Sequence, residues 1–230
     1  MKANRLYSVL TGDLVGSSKF QFDERSSVLA ELERFLAAIS HDFPDIEFAR
    51  FSRYRGDSFQ MVLSPPKLSL RVGIAVRASL RAIPLRKPDR HIRDVRIGIG
   101  IGSVDSLPDG SVLQGDGEAF HRSGRTLDEM KDPLRLQVRT PWPECDAELD
   151  VECSLLEVIA SRWTTAQAQA TVKEMMGLTQ GAAARDLGIS QPAVVQRLKK
   201  AGVWAIIRMC IRYEELLDRA VIRQEGQGAL

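Results

Sequence analysis

The chain has little from which to build a metal or disulfide framework: three cysteines, Cys145, Cys153 and Cys210, and three histidines in 230 residues. No two cysteines form a C-x-x-C pair and none stands at ligand spacing from a histidine. That excludes a zinc ribbon and a stapled secreted scaffold, and buried thiols in a reducing compartment fit instead. Long apolar runs are missing too. No stretch approaches the roughly eighteen apolar residues of a membrane span, and the opening MKANRLYSVLTGD lacks the apolar centre of a signal peptide. A cytoplasmic protein with no membrane partner is expected. Net charge is scarce, +2 from 32 basic and 30 acidic side chains, so any nucleic-acid surface must come from local segregation of charge. Internal repeats and low-complexity tracts are absent as well. What remains is 44% hydrophobic and 27% charged, an ordinary globular composition with length enough for two domains.

The hydrophobic period changes along the chain. RLYSVLTGD (5–13) reads as a buried strand ending in a Gly-Asp turn. A helix follows from about Asp23 to Ser40, with Val28, Leu29, Leu32, Phe35, Leu36 and Ile39 on one stripe. Two apolar runs around YRGDSF predict a hairpin with strands near 45–52 and 58–64. Pro65-Pro66 ends it, and a helix near Leu68–Ala82 comes next. KPDRHIRD (87–94) reads as a charged loop. In DVRIGIGIGSV, Val95, Ile97, Ile99 and Ile101 alternate with Arg96 and glycines, the pattern of a strand buried on one face. A helix near Glu118–Lys131 and a strand over 134–139 complete the order β-α-β-β-α-β-α-β. The fold class is α+β: a ferredoxin-like β-α-β-β-α-β domain with an added helix and strand. TPWPECD (140–146) reads as a linker, and beyond it the pattern is helical. The expected division is 1–144 and 145–230.

Chemistry concentrates at two places. Asp13 ends the first strand and Asp57 sits at the hairpin tip, and a β-α-β-β core sets those strands side by side. Two like charges so placed repel unless a cation bridges them, so the pair reads as a Mg²⁺ site. Gly16, Ser17 and Ser18 open the following helix, where backbone N–H groups and the helix dipole suit a triphosphate. The plain alternative for Asp57 is a turn-former between two solvated arginines, Arg53 and Arg55.

Asp13-Leu14-Val15-Gly16-Ser17-Ser18 resembles the first metal motif of class III nucleotide cyclases, and Arg53-Tyr54-Arg55-Gly56-Asp57-Ser58-Phe59 resembles their second motif and the GGDEF hairpin of diguanylate cyclases. With the opening YSVLTGDLVGSSKF, the chain looks most like the SatD-like family, a cyclase-like, palm-type domain joined to a DNA-binding-type module. The resemblance implies Asp13, Asp57 and the Leu14 carbonyl as metal ligands, and Arg53 as a nucleotide ligand at the place of a purine-selecting lysine; Arg55, which flanks the same spot, is expected to serve the nucleotide with it. It also implies Arg125 as the arginine that stabilises the transferring phosphate. Four residues back, His121 stands where cyclases have a ribose-orienting asparagine, although counting from Gly115-Asp116 reaches Ala119 instead. Arg55 replaces the first glycine of GGDEF and Ser58 its glutamate. The plain reading of His121 is a surface or core histidine, and His41 and His91 read as structural.

LTQGAAARDLGISQPAVVQRLKKAG (178–202) reads as a helix-turn-helix. Thr179 caps a first helix, Gly188 supplies a left-handed turn, and Ser190 caps a second helix with Pro192 in its first turn. Val194, Val195 and Leu198 are expected inward. Ser190, Gln191, Gln196, Arg197, Lys199 and Lys200 are expected to meet DNA, since glutamine suits adenine edges and Arg or Lys suits guanine or phosphate. Between Asp186 and Glu214 the chain carries Arg197, Lys199, Lys200, Arg208 and Arg212 and no acid. A helical hairpin used for packing is the plain alternative. The last helix, with Trp204, Ile207, Ile211, Tyr213, Leu216 and Leu217, reads either as a homodimer contact or as core. The expected function is a nucleotide-responsive, DNA-binding transcriptional regulator with a cyclase-like sensor. The alternative is an active Mg²⁺-dependent nucleotidyl cyclase or nucleotidyltransferase acting on a nucleoside triphosphate.

Overall fold

A computed structural model describes residues 5–17, 20, 22–54, 56–84, 93–108 and 111–227. Its first half is a five-stranded sheet in the order β2-β3-β1-β4-β5. The elements run β1 (Tyr7–Leu14), α1 (Phe22–Asp42), β2 (Phe48–Tyr54), β3 (Ser58–Ser64), α2 (Ser69–Arg81), β4 (Val95–Gly102), α3 (Glu118–Glu129) and β5 (Leu136–Arg139). This is the order read from the sequence. β1 is antiparallel to both β3 and β4, β2 is antiparallel to β3, and β5 joins β4 in parallel. The architecture is therefore mixed α/β.

Register sorts the side chains onto two faces, because neighbours directly opposite in a sheet point the same way. Leu10 lies between Met61 and Ile99 and shares their face, which α1 and α2 cover. The α1 stripe delivers Val28, Leu29, Leu32, Leu36 and Ile39 to that core, while Phe35 is only partly covered. On the other face Val9 lies between Val62 and Gly100, and α3 sits over it.

β4 departs from its expected reading. Its glycines do not face solvent; they face α3 at backbone distance. A Cβ at Gly98 would stand 2.5 Å from the Ser123 carbonyl oxygen, and one at Gly102 would stand 2.9 Å from the Ala119 nitrogen. The alternation of isoleucine and glycine is thus a strand buried on both sides, one side lined by helix backbone rather than by side chains.

The second half is helical: α4 (Pro143–Ala160), α5 (Thr165–Met175), α6 (Gln180–Leu187), α7 (Gln191–Lys200) and α8 (Val203–Gln227). Among the described residues no helix is long and apolar enough to cross a membrane. The stretch read as a linker is tightly bonded: Pro143 already begins α4, and the Asp146 carboxylate accepts from both the Thr140 N–H and its hydroxyl at 2.8 Å. One buried cluster runs from Leu10 of β1 to Leu217 of α8. In α8, Tyr213 and Leu217 are core, with the Tyr213 hydroxyl 2.8 Å from that of Ser69, whereas Trp204 and Ile211 face outward.

A buried ionic cluster ties the halves together. Arg77 of α2, 1% exposed, donates to both oxygens of Asp94 at 2.9 and 3.0 Å and to both oxygens of Glu157 on α4 at 2.9 and 2.7 Å. Arg81 adds a bond to Asp94 at 2.9 Å and caps the Ser161 and Trp163 carbonyls. Burial alone would lower the pKa of Arg77, but the charges of Asp94 and Glu157 outweigh it and the guanidinium is held above its ordinary value.

Candidate functional site

The strand end at Asp13 is built around a missing side chain. Gly12 lies beneath the Phe59 ring, whose nearest atom would be 2.5 Å from a Cβ, so only glycine lets Phe59 cross β1. Asp13 then falls opposite Ser58 on one side and Arg96 on the other, on the α3 face. Arg96 takes both oxygens of Asp13, Nε to Oδ1 at 3.0 Å and a terminal nitrogen to Oδ2 at 2.6 Å. The hydrogen bond to Asp13 is the largest of the influences on Arg96; the Asp13, Asp132 and Asp128 charges add to it, and together they raise its pKa despite partial burial.

Asp57 takes other partners. Gly56 and Gly16 both sit in the left-handed region, φ +77° and +66°, as two tight turns require. The turns are laced together: the Leu14 N–H donates to the Asp57 carbonyl at 3.3 Å, and the Ser17 hydroxyl donates to the Asp57 carboxylate. Arg25, in the first turns of α1, stands 4.0 Å from the same carboxylate. Val15 N–H donates to the Asp94 carbonyl at 2.9 Å, anchoring the loop to the segment that enters β4. Arg53 lies opposite Phe59 on the α1 face and reaches Glu33 at 2.9 Å. Ser18, Arg55 and His91 lie outside the described residues.

The structure therefore gathers Ser17, Arg25 and Asp57 at the start of α1, with Leu14 and Gly16 alongside, while Asp13 is turned to Arg96 and Arg53 to Glu33. A divalent cation shared by Asp13 and Asp57 does not fit this arrangement, because a guanidinium already neutralises Asp13 at both oxygens. Among the described residues no group of three or more His, Cys, Asp or Glu side chains gathers for a metal. His121 and Arg125 project from the exposed side of α3, away from the sheet, and His121 pairs with Asp116 at 3.0 Å.

The second place is α7. Ser190 caps it by accepting from the Ala193 N–H at 3.4 Å, and Gly188 closes α6 at φ +64°. Gln191, Gln196, Lys199 and Lys200 are exposed, Arg197 is half-buried, and Val194 and Leu198 are core. Val195 is 41% exposed, not inward as expected. It follows Val194 by one residue, about 100° around the helix, which puts it on the flank of the stripe that Val194 and Leu198 bury.

Sequence reasoning passed over Arg25, Arg96 and the Arg77 cluster. Arg77 did carry a signal, as the lone charge inside VGIAVRASL (72–80). Arg96 carried none, since an outward arginine on a strand is ordinary.

The model of the SatD family matches residues 7–217 of the chain. No curated protein matches it. Solved structures are similar in fold to part of it. The active GGEEF domain of a diguanylate cyclase from Vibrio cholerae is 14% identical with TM-score 0.45, over 59% of this chain and 83% of that one. Diguanylate cyclase SiaD from Pseudomonas aeruginosa, solved with its activator SiaC, is 16% identical with TM-score 0.44, over 59% of this chain and 50% of its own. The catalytic core of a rhodopsin-guanylyl cyclase of converted specificity, in complex with ATPαS, is 13% identical with TM-score 0.40, over 58% and 77%.

Proposed function

Because the chain belongs to the SatD family, we propose that it binds a nucleoside triphosphate on its mixed sheet and is by chemistry a relative of nucleotidyl cyclases and nucleotidyltransferases. One observation carries this reading: two glycine turns, at Gly16 and Gly56, are bonded to each other and place Ser17, Arg25 and Asp57 at one spot. Arg25 supplies positive charge to a polyphosphate, and the Ser17 hydroxyl turns from Asp57 to a phosphate oxygen when one is present. Asp57 is then left to accept a hydrogen bond from a ribose hydroxyl. In the transfer this reading assigns, the ribose 3′-hydroxyl gives its proton to the Asp57 carboxylate, its oxygen bonds to the α-phosphorus as the bond to the β-phosphate oxygen breaks, and pyrophosphate leaves. His121 and Arg125 take no part within one chain.

The test is equilibrium binding of each of the four nucleoside triphosphates, followed by assay of pyrophosphate release with Mg²⁺ or Mn²⁺. A purine triphosphate should bind, and Arg25→Ala should weaken it about tenfold or more with an unchanged melting temperature, because Arg25 is part-exposed. No binding at millimolar nucleotide would end the reading. Release of pyrophosphate identifies an enzyme, and binding without release identifies a sensor.

A second reading rests on α7. Its exposed Gln196, Lys199 and Lys200 point away from the buried Val194 and Leu198, Gln191 is exposed in the first turn, and the helix carries no carboxylate. Read with α6 as a helix-turn-helix, α7 enters the major groove of DNA and the nucleotide site regulates that binding. Replacing Gln196, Lys199 and Lys200 with alanine should lower the salt slope of DNA binding by roughly one unit for every phosphate these side chains touch. An identical slope and affinity in parent and variant would remove DNA from the account.

A further inference from the structure

One face of α4 is finished for contact but covers nothing. Glu144, Ala147, Val151, Ser154, Val158 and Ser161 recur at alternating steps of three and four residues, and every one of them is exposed. Leu155 widens the same stripe. Val151 is 62% exposed, Leu155 61% and Val158 53%, values at which single apolar residues are ordinary but a heptad-spaced row is not. No charge interrupts the row between Glu144 and Ser161. Ser154 satisfies its own hydroxyl on the Asp150 carbonyl at 2.7 Å, so it can be covered without a new partner. The inward side of α4 is already occupied: Leu149, Cys153 and Leu156 are core, and Glu157 holds Arg77.

We propose that this face packs against the same face of a second copy of the chain, the two α4 helices running antiparallel. The charges at its ends select that partner and that direction. Glu144 lies at the start of α4 and Arg162 just past its end, and both are exposed. A two-fold axis near residues 152–153 sets Val151 against Ser154 and Leu155 of the second copy, Ala147 against its Val158, and Glu144 beside its Arg162. A parallel pair would instead set Glu144 against Glu144. The small residues at Ala147, Ser154 and Ser161 let the helices approach closely. A specific interface removes on the order of 1,200–2,000 Å², more than one stripe supplies, and α8 extends it. That helix runs antiparallel beside α4, since Arg212 bonds Glu148 and Gly202 meets Ile159, and it presents Trp204, 66% exposed, and Ile211 on its outer side.

The experiment is sedimentation equilibrium of the full chain from 1 to about 200 µM, a range wide enough to reveal micromolar affinity. The parent should be a dimer at the upper end, and Leu155→Glu should be a monomer throughout, with unchanged circular dichroism because the site is exposed. Glu144→Arg and Arg162→Glu should each weaken the dimer about threefold to tenfold, the two symmetric pairs being surface ion pairs, and the double reversal should restore it. A parent that stays monomeric overturns the proposal, including the case in which some other protein covers the stripe. So does a dimer untouched by Leu155→Glu. Charge reversals that fail to rescue each other overturn the antiparallel arrangement. None of these outcomes depends on nucleotide or DNA.

Discussion

Glu157→Ala is the sharpest test of how the two halves are joined. In the parent, Arg77 and Arg81 face Asp94 and Glu157, a set of formal charge zero closed off from water. Removing Glu157 leaves Arg77 with its two bonds to Asp94 and strips the acceptor from its other terminal nitrogen. Breaking a buried pair by deleting one partner costs about 3–5 kcal/mol. Because Asp94 still holds Arg77 in a bidentate grip, the lower end applies, about 3 kcal/mol. For a chain of this length that is a fall of about 6–12 °C in melting temperature. Replacing both sides, Arg77→Met with Glu157→Leu, removes the charge and its demand together, and leaves Asp94 with Arg81 and the Val95 N–H. The double variant should therefore be more stable than Glu157→Ala alone. Urea unfolding followed by far-ultraviolet circular dichroism measures both. A Glu157→Ala loss below about 1 kcal/mol, or a double loss equal to the sum of the singles, would refute the reasoning.

Two glycines should respond differently to the same change. Gly100→Ala drives a Cβ into the backbone of α3 and should cost about 3 kcal/mol or more, while Gly188→Ala meets open space and carries only the left-handed penalty of about 1–2 kcal/mol; urea midpoints in the reverse order would contradict the packing of α3 on β4. Glu152 is half-buried with Oε2 lacking a hydrogen-bond partner among the described residues, and burial, then Glu148, raises its pKa above 4.5. A raised folded pKa means the folded chain binds the proton more tightly, so this group's contribution is present below 4.5 and lost as pH climbs through the shifted value. Glu152→Gln should thus gain stability over the parent as pH rises from 4 to 8, and a gap that does not change with pH would refute it.

What the sequence made legible was whatever depends on neighbours along the chain. The α1 stripe follows from a 3.6-residue period, and the caps at Thr179 and Ser190 and the left-handed Gly188 follow from chemistry within four residues. What it hid depends on partners far away. Glycine in β4 gives no sign of whether water or a helix lies over it, since in both cases the side chain is absent. Arg96 and Asp13 are 83 positions apart, and only the register of two antiparallel strands reveals that they meet. The same holds for Glu157, which reads as one more acid on an acidic helix until Arg77 is set beside it. At the candidate site the two turns and their nearness were legible, but not the bonds from Leu14 and Ser17 to Asp57 that join them. Nor was the side on which each carboxylate would find its partner.

Asp94 answers to two masters. Its carbonyl accepts from Val15 in the loop that precedes α1, and its carboxylate is clamped by Arg77 and Arg81, the first of which also grips Glu157 on α4. The residue is 7% exposed, so no water stands ready to replace a bond that slips. A shift of the β1–α1 loop that carried Asp94 with it would have to drag or break a clamp whose far end is the helix bearing the heptad-spaced row. Free energy stored in such a strut reads the same from either end. Whatever a phosphate at the loop did to the seating of α4, a change in the seating of α4 would do equally to the affinity for that phosphate.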